Sequence, residues 1–212
     1  MSNIETNIPT YILIVILLIV AFFVVQKMQR SSKEIVSVGY IENWKTILQE
    51  DLDFGDNQAN VGLIIFYDYE CPFCSSFDQE LEKVIARFDD QINGRFVHRL
   101  LAGHENAYDA ALASECAKVQ GSFFPYHERL FENSMNLYDV NYIELAREIG
   151  VPDIGKFQKC YQDGETFLPI TLDMSLADSL GIMEVPSFAI NGKLYKGNIS
   201  SKMIEELIIE SQ

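Results

Sequence analysis

The 212-residue sequence is poor in basic residues and in cysteine, and each shortage excludes a class of protein. It has 16 Lys and Arg against 31 Asp and Glu, which gives a net charge of −15 at pH 7. Binding to nucleic acid requires clustered Lys and Arg that contact phosphates, so we expect no nucleic-acid partner. Four cysteines are too few to be the scaffold of a disulfide-dependent miniprotein of this length. Walker, Rossmann and catalytic-serine motifs are absent from the sequence as well.

The longest apolar run lies near the N-terminus. Residues 8–25 (IPTYILIVILLIVAFFVV) carry no charge, and as a helix they would span roughly 27 Å, near the thickness of a bilayer's hydrocarbon core. We therefore predict an N-terminal tail at residues 1–7 and one transmembrane anchor at residues 8–26. A cleaved signal peptide is the alternative, but the run exceeds the usual apolar region of a signal peptide, and no small-residue cleavage pattern follows it.

The region after the anchor leads into a strand. Residues 27–60 are predicted to form a linker and a short amphipathic helix, since apolar residues between positions 41 and 48 repeat at helical spacing. The continuous apolar run VGLIIFY at residues 61–67 suits a buried central strand.

The strand is followed directly by Cys71-Pro72-Phe73-Cys74. Apolar residues then recur at helical spacing from Phe73 onward, and Pro72 is tolerated in a first helical turn. This strand, turn and helix would place Cys71, with its sulfur exposed, at a helix N-terminus, where free N–H groups and the macrodipole favour a thiolate. Cys74, one turn later, could attack a mixed disulfide formed by Cys71. Asp68 and Glu70 are expected at the exposed end of the strand, where their charge would slightly oppose the thiolate.

Besides a redox pair, two other interpretations of this CxxC motif are a structural zinc site and two inert buried thiols. A structural zinc site usually needs a second close pair of ligands, but Cys116 and Cys160 stand apart, and His98, His104 and His127 lack zinc-finger spacing. Two inert buried thiols are the other alternative. A redox pair is the favoured interpretation. We expect no metal and no cofactor, since the Cys71–Cys74 disulfide would itself be the redox group.

The rest of the chain gives an ordered set of elements. Residues 95–101 (RFVHRLL) are predicted to be a second strand, and a long helical region follows it. SFAI and KLYK flank Asn191-Gly192, which is a strong hairpin signal, and a final helix comes after residue 200. The order is strand, helix, strand, a block of helices, hairpin and helix.

With this order, four sequence blocks resemble the DsbA-like branch of the thioredoxin superfamily. The resemblance implies an α/β, thioredoxin-like fold with an inserted all-helical domain, preceded here by the transmembrane helix. The DsbA-like domain would cover residues 61–212, with the insertion at about 104–180. The blocks are FYDYECPFC at 66–74, ASECAKVQGSFFPYHERLF at 113–131, KFQKCYQDG at 156–164 and LGIMEVPSFAINGKLYKG at 180–197.

The resemblance also assigns roles to residues. Cys71 would be the attacking and Cys74 the resolving cysteine, and Val185-Pro186 would be the family's cis-proline loop, with Val185 offering its N–H and C=O groups to a substrate strand. Family members commonly have a buried Glu where this chain has Ile65, so proton transfer through a carboxylate there is not available. The strongly oxidising members have His where this chain has Phe73. Because Phe cannot donate a hydrogen bond, we expect a less extreme thiolate and a milder oxidant.

The other two cysteines fall in blocks where some relatives also have cysteine. We predict a structural disulfide between Cys116 and Cys160, with two separate buried thiols as the alternative. Such a bridge would place the domain outside the cytoplasm, although the basic residues Lys27, Arg30 and Lys33 after the anchor favour the opposite orientation.

The function implied by the resemblance is that of a membrane-anchored, DsbA-like thiol:disulfide oxidoreductase with an extracytoplasmic catalytic domain. It would pass its disulfide to reduced or unfolded exported proteins. A DsbB-like or vitamin-K-epoxide-reductase-like membrane protein would re-oxidise it. The alternatives are a tethered disulfide reductase or isomerase, and a peptide-binding, chaperone-like module that uses the fold without turnover.

Overall fold

The computed structural model of the chain describes residues 12–22 and 37–212, which fall in two separate units, residues 1–36 and 37–212. In the first unit residues 12–22 are helical. The remainder of the predicted anchor at residues 8–26 and the predicted tail at 1–7 lie outside the described residues. Among the residues that are described, no helix is both long enough and apolar enough to cross a membrane.

The second unit is built on one five-stranded sheet. The spatial order is β1-β5-β4-β2-β3, with β2 and β3 parallel and the other neighbours antiparallel. β2 is buried along its whole length, as its continuous apolar sequence predicted. The strands are β1 (Gly39–Tyr40), β2 (Val61–Tyr67), β3 (Ile92–His98), β4 (Ser187–Ile190) and β5 (Lys193–Lys196).

The helices divide into those of the sheet domain and those inserted between β3 and β4. Helices α1, α2 and α8 belong to the sheet domain, and α2 packs against α8. The five helices α3 to α7 form the insertion. The bounds are α1 (Trp44–Glu50), α2 (Pro72–Phe88), α3 (Ala107–Lys118), α4 (Phe123–Glu132), α5 (Tyr142–Glu148), α6 (Ile154–Asp163), α7 (Phe167–Ser179) and α8 (Ser201–Ile209).

The hairpin between β4 and β5 closes as the Asn-Gly signal predicted. Asn191 and Gly192 both have positive φ, at 45° and 84°, which is the conformation that a two-residue type I′ turn requires. The Oδ1 atom of Asn191 accepts a hydrogen bond of 2.9 Å from the N–H of Gly62, which ties the turn to the start of β2. The hairpin is thereby fixed beside β2, with which β4 pairs.

One predicted strand boundary differs from the structure, and one strand was not predicted. The second strand was predicted at 95–101, but it runs from Ile92 to His98. Asn93 and Gly94 resemble a turn in the sequence, yet Gly94 lies in the parallel ladder and forms a separate bridge with Phe54, whose ring occupies the space that a side chain would need. The two-residue β1 was also missed, because so short an edge strand leaves no periodic pattern.

Candidate functional site

The structure places the CxxC motif where a strand gives way to a helix. β2 ends at Tyr67, and Cys71 occupies the N-cap position of α2 with an extended backbone (φ −86°, ψ 115°). Pro72 is the first residue of the helix, where its missing N–H leaves no bond unmade. The N–H of Cys71 donates to the carbonyl of Asp68 at 3.1 Å, and the N–H of Cys74 donates to the carbonyl of Cys71 at 3.0 Å. These bonds fix the turn that presents Cys71.

Cys71 and Cys74 are free thiols, and both are more enclosed than expected. Cys71 is only 4% exposed and Cys74 only 1%, so the expectation of an exposed Cys71 sulfur was wrong. Part of the cover is the carbonyl oxygen of Val185, which lies 3.9 Å from the Cys71 Sγ atom. The Val185–Pro186 peptide bond is cis. The sequence positions 71 and 185 are thus brought into contact.

Phe73, between the two buried cysteines, is exposed to solvent. The helical spacing predicts Phe73 on the apolar face of α2, and this prediction is wrong, since its side chain is 65% exposed. Further along the helix, Phe77, Leu81 and Val84 are buried. Cys74 of the same helical turn as Phe73 is buried, so Phe73 lies on the side of that turn that faces away from the core. Phe73 therefore offers an apolar surface next to the reactive pair.

The two sulfurs differ in acidity. The pKa of Cys71 is lowered to about 6, first by a hydrogen bond from the Cys74 thiol and then by the backbone N–H groups of Cys74 and Phe73, while burial opposes the shift. The pKa of Cys74 is raised far above its ordinary value, first by burial and next by its bond to Cys71. At neutral pH Cys71 is therefore a thiolate and Cys74 a thiol.

Asp68 lies inside the protein, so its expected exposure at the strand end was wrong. Its side chain is fully buried, and the backbone N–H groups of Glu70 and Leu101 each donate to it at 2.8 Å. His104 Nδ1 also lies 2.8 Å from its Oδ2 atom. Glu70 accepts hydrogen bonds from the backbone and side chain of Asn106, so two acids of the turn hold the loop that follows β3.

The comparisons with known proteins identify the family. The family model described as thioredoxin matches residues 48–210. The chain belongs to the thioredoxin family.

Several solved structures share the fold of this chain, including its helical insertion. The thioredoxin-like oxidoreductase of Silicibacter pomeroyi is 24% identical and has a TM-score of 0.67, over 81% of this chain and 97% of that one. BdbD of Bacillus subtilis is 23% identical with a TM-score of 0.68, over 84% and 98%. The thiol-disulfide exchange protein α-DsbA2 of Wolbachia pipientis is 19% identical with a TM-score of 0.67, over 79% and 95%. The predicted thioredoxin-like α/β fold with a helical insertion is confirmed.

Curated relatives of this thioredoxin-family chain include larger proteins. The Na⁺/H⁺ antiporter NhaA 1 of Mycobacterium sp. (strain KMS) is 32% identical over 146 residues, which are 68% of this chain and 24% of the antiporter. The chain spans about a quarter of the length of the curated relatives that it matches.

Behind the cysteines of this thioredoxin-family chain lies a buried polar network that the sequence did not reveal. Asp78 lies one helical turn beyond Cys74, and its Oδ1 is 3.1 Å from His127 Nε2. The other ring nitrogen of His127 is 2.8 Å from the hydroxyl of Tyr69, next to the turn. These side chains join α2, the end of β2 and α4 of the insertion. Their only signal in the sequence is that polar residues interrupt apolar helical faces.

The second pair of cysteines lies apart from the first, in the insertion. Cys116 of α3 and Cys160 of α6 are joined by a disulfide bond in the structure. The hydroxyl of Thr166 lies 3.6 Å from the Cys116 sulfur and 3.2 Å from the carbonyl of Leu112, to which it donates. Within residues 12–22 and 37–212, no group of three or more His, Cys, Asp and Glu side chains could hold a metal ion.

Proposed function

We propose that the chain is a thiol:disulfide oxidoreductase that donates the Cys71–Cys74 disulfide to exported proteins. The observation that supports the proposal most strongly is the opposite acidity of the two sulfurs at a helix N-terminus. A pKa of about 6 for Cys71 makes it a good leaving group and a ready nucleophile, while Cys74 holds its proton. The backbone N–H groups of Cys74 and Phe73 also stabilise the Cys71 thiolate, a contribution that two inert core thiols would not need.

The proposed reaction conserves atoms and electrons in two exchange steps. A substrate thiolate attacks the Sγ of Cys71 in the oxidised pair, the bond between Cys71 and Cys74 breaks, and Cys74 leaves as a thiolate that takes up a proton. A second substrate thiolate then attacks the substrate sulfur of the mixed disulfide, and Cys71 leaves as a thiolate. The substrate loses two electrons and gains a disulfide. The chain gains both electrons and ends as the dithiol.

The surroundings of Cys71 suit an extended, partly apolar substrate segment. Val185 lies against the sulfur and can offer backbone groups to a neighbouring strand. Phe73 and Met183 are 65% and 69% exposed on the two segments that flank the sulfur, where they supply apolar contact area. Reduced, unfolded chains expose both their backbone and their apolar side chains. They are therefore the substrate class that we propose.

We also propose a membrane anchor at residues 8–26 and an extracytoplasmic catalytic domain. The support for the anchor is the uncharged run of residues 8–25. The support for the compartment is the Cys116–Cys160 disulfide, since structural disulfides persist outside the reducing cytoplasm. A DsbB-like or vitamin-K-epoxide-reductase-like membrane protein would return the Cys71–Cys74 pair to the disulfide. Antiport is not proposed, since the match covers only about a quarter of the antiporters.

The test is oxidative refolding of a reduced, unfolded model protein by the 212-residue chain in a glutathione buffer. We expect the wild-type chain to accelerate refolding and Cys71→Ser to lose the acceleration. Cys74→Ser should lose it as well, because a chain without Cys74 cannot form the Cys71–Cys74 disulfide that it donates. If Cys71→Ser keeps the full effect, the chain is a peptide-binding module without turnover. If the wild-type chain removes disulfides in the same buffer, it is a reductase.

A further inference from the structure

The turn that presents Cys71 contains a buried carboxylate, Asp68, and a histidine bound to it, and neither side chain takes part in the exchange steps described above. Asp68 is fully buried, and the side chain of His104, which pairs with it, is 26% exposed. A buried carboxylate is costly unless charged or polar partners satisfy it, and Asp68 has three, namely two backbone N–H groups and the imidazole. Because a carboxylate only accepts hydrogen bonds, Nδ1 of His104 is the donor to its Oδ2.

Asp68 interacts with the two cysteines in two ways, by a backbone hydrogen bond to Cys71 and by the electrostatic effect of its carboxylate on both sulfurs. Its carbonyl accepts the N–H of Cys71, and its side chain closes the turn onto the N–H of Glu70, so it fixes the peptide that leads into the helix. Its negative charge raises the pKa of both Cys71 and Cys74. Ile65 on the adjoining strand β2 is apolar and only 1% exposed, so it supplies no carboxylate to the site. Asp68 is the acid whose charge acts on both sulfurs.

We propose that Asp68 and His104 are paired positioning residues for Cys71: the Asp68 carboxylate fixes the turn that presents the sulfur, and His104 offsets that carboxylate's charge. The proposal rests on the proposed function, because it concerns what sets the reactivity of the exchanging thiolate. His104 contacts neither sulfur and acts through Asp68. Its partial exposure lets solvent reach the imidazole while Asp68 stays enclosed. The chain thus keeps a buried acid near its nucleophile without the full penalty of an uncompensated negative charge.

Other charged groups on the neighbouring segments have different partners or are exposed. Glu70, on the same turn, binds Asn106. Glu184, which precedes Val185, forms a surface ion pair with Lys196. Glu105 follows His104 directly and is exposed. It is therefore a matched control position, since it lies on the same loop and differs from His104 in lacking the bond to Asp68.

The experiment measures alkylation of Cys71 in the reduced 212-residue chain, with mass spectrometry to locate the adduct. Only the thiolate reacts, so the rate at pH 5 reports how well the site stabilises it. We expect His104→Ala to slow alkylation about threefold, the scale expected when one nearby charge loses its compensation. Glu105→Ala should not slow it. Equal rates for His104→Ala and wild type, or equal slowing by both alanine variants, would overturn the proposal.

A double-variant cycle separates action through Asp68 from a direct effect of the loop. Asp68→Asn should speed alkylation about threefold at pH 5, because it removes the opposing charge while its Oδ1 can still accept the N–H of Glu70 that closes the turn. In that background His104→Ala should produce no further slowing; slowing as large as in the wild-type background would contradict action through Asp68. If Asp68→Asn does not fold, the His104 and Glu105 pair alone decides. Alkylation needs no protein substrate, so a chain without exchange activity would refute the proposed function and leave this test intact.

Discussion

At the scale of single residues, two cysteines separated by two residues acquire opposite chemical roles. Cys71 receives hydrogen bonds from the Cys74 thiol and from N–H groups of the first helical turn, all of which stabilise a thiolate. Cys74 lies one turn deeper, where burial penalises its charged form. The pair therefore stores one proton on Cys74 and leaves one negative charge on Cys71. This asymmetry is what an exchange reaction in two ordered steps requires.

The largest contribution to the acidity of Cys71 can be tested by removing its donor. Cys74→Ala deletes the thiol that donates to Cys71, so the pKa of Cys71 should rise from about 6 toward the ordinary thiol value. The helix N–H groups remain, so the rise should stop short of that value. The pH dependence of Cys71 alkylation measures it. An unchanged pKa in Cys74→Ala would show that the helix N-terminus alone sets the acidity.

Sequence reasoning found the reactive residues but not their surroundings. The strand-turn-helix pattern and Pro72 are local signals, and they were enough to put Cys71 at a helix N-terminus. The burial of Asp68 depends on the loop around Leu101 and His104, more than thirty residues away, and no local pattern encodes that contact. The outward direction of Phe73 likewise depends on where the core ends, which helical spacing alone does not state.

At the scale of elements, helix α2 carries the reactive pair at one end and an acidic pair along the same side. Asp78 is buried and bound to His127 of α4. Glu82, one turn further on, has a pKa raised to about 7, first by burial and then by the charges of Asp78 and Glu128. Ionisation of Glu82 in the folded state is therefore unfavourable relative to the unfolded chain.

This raised pKa predicts a pH-dependent stability. The favourable contribution of protonated Glu82 is complete below its ordinary pKa of 4.5 and is lost as the pH rises through about 7. Glu82→Gln should then be more stable than wild type at pH 8 by about 1 kcal/mol, after allowance for solvent screening of a partly exposed group. The difference should vanish near pH 4. Urea unfolding at both values measures it, with Glu105→Gln as the exposed control that should show no such pH-dependent difference.

Helices α3 and α6 are linked by the Cys116–Cys160 disulfide across a separation of 44 residues. The double variant Cys116→Ala/Cys160→Ala should lose about 3 to 4 kcal/mol of unfolding free energy, because the unfolded chain is no longer cross-linked. Denaturant unfolding of the oxidised chains measures this loss. Alkylation of Cys71 should stay at the wild-type rate, since the bridge lies in the insertion. An unfolding free energy equal to that of wild type would contradict the structural role.

The sequence predicted elements best where the pattern was local and continuous. The central strand, the Asn-Gly hairpin and the helix after Cys71 all have such patterns, and all occur. β3 was misplaced by three residues because Gly94, a turn signal by composition, is required there by the ring of Phe54. That requirement comes from a strand-to-loop contact, which only the folded chain reveals.

At the scale of the whole molecule, the site is assembled from segments that are distant in the sequence. The turn before α2 and the first turn of that helix supply Asp68 and the cysteines, the loop after β3 supplies His104, and the loop before β4 supplies Val185. The sheet brings these segments together because β2 pairs with β4 on one side and with β3 on the other. The insertion contacts the site through His127 of α4, which binds Tyr69 and Asp78. The thioredoxin domain and its insertion thus form one support for the reactive pair.

The redox potential of the Cys71–Cys74 pair tests the central claim most directly. Equilibration of the chain with glutathione buffers, followed by alkylation and mass spectrometry of the free thiols, measures it. We predict a value between about −230 and −120 mV, oxidising but below the strongest oxidant of this type, since Phe73 offers no hydrogen bond to the thiolate. A value near or below about −270 mV, as in thioredoxin, would contradict a disulfide donor.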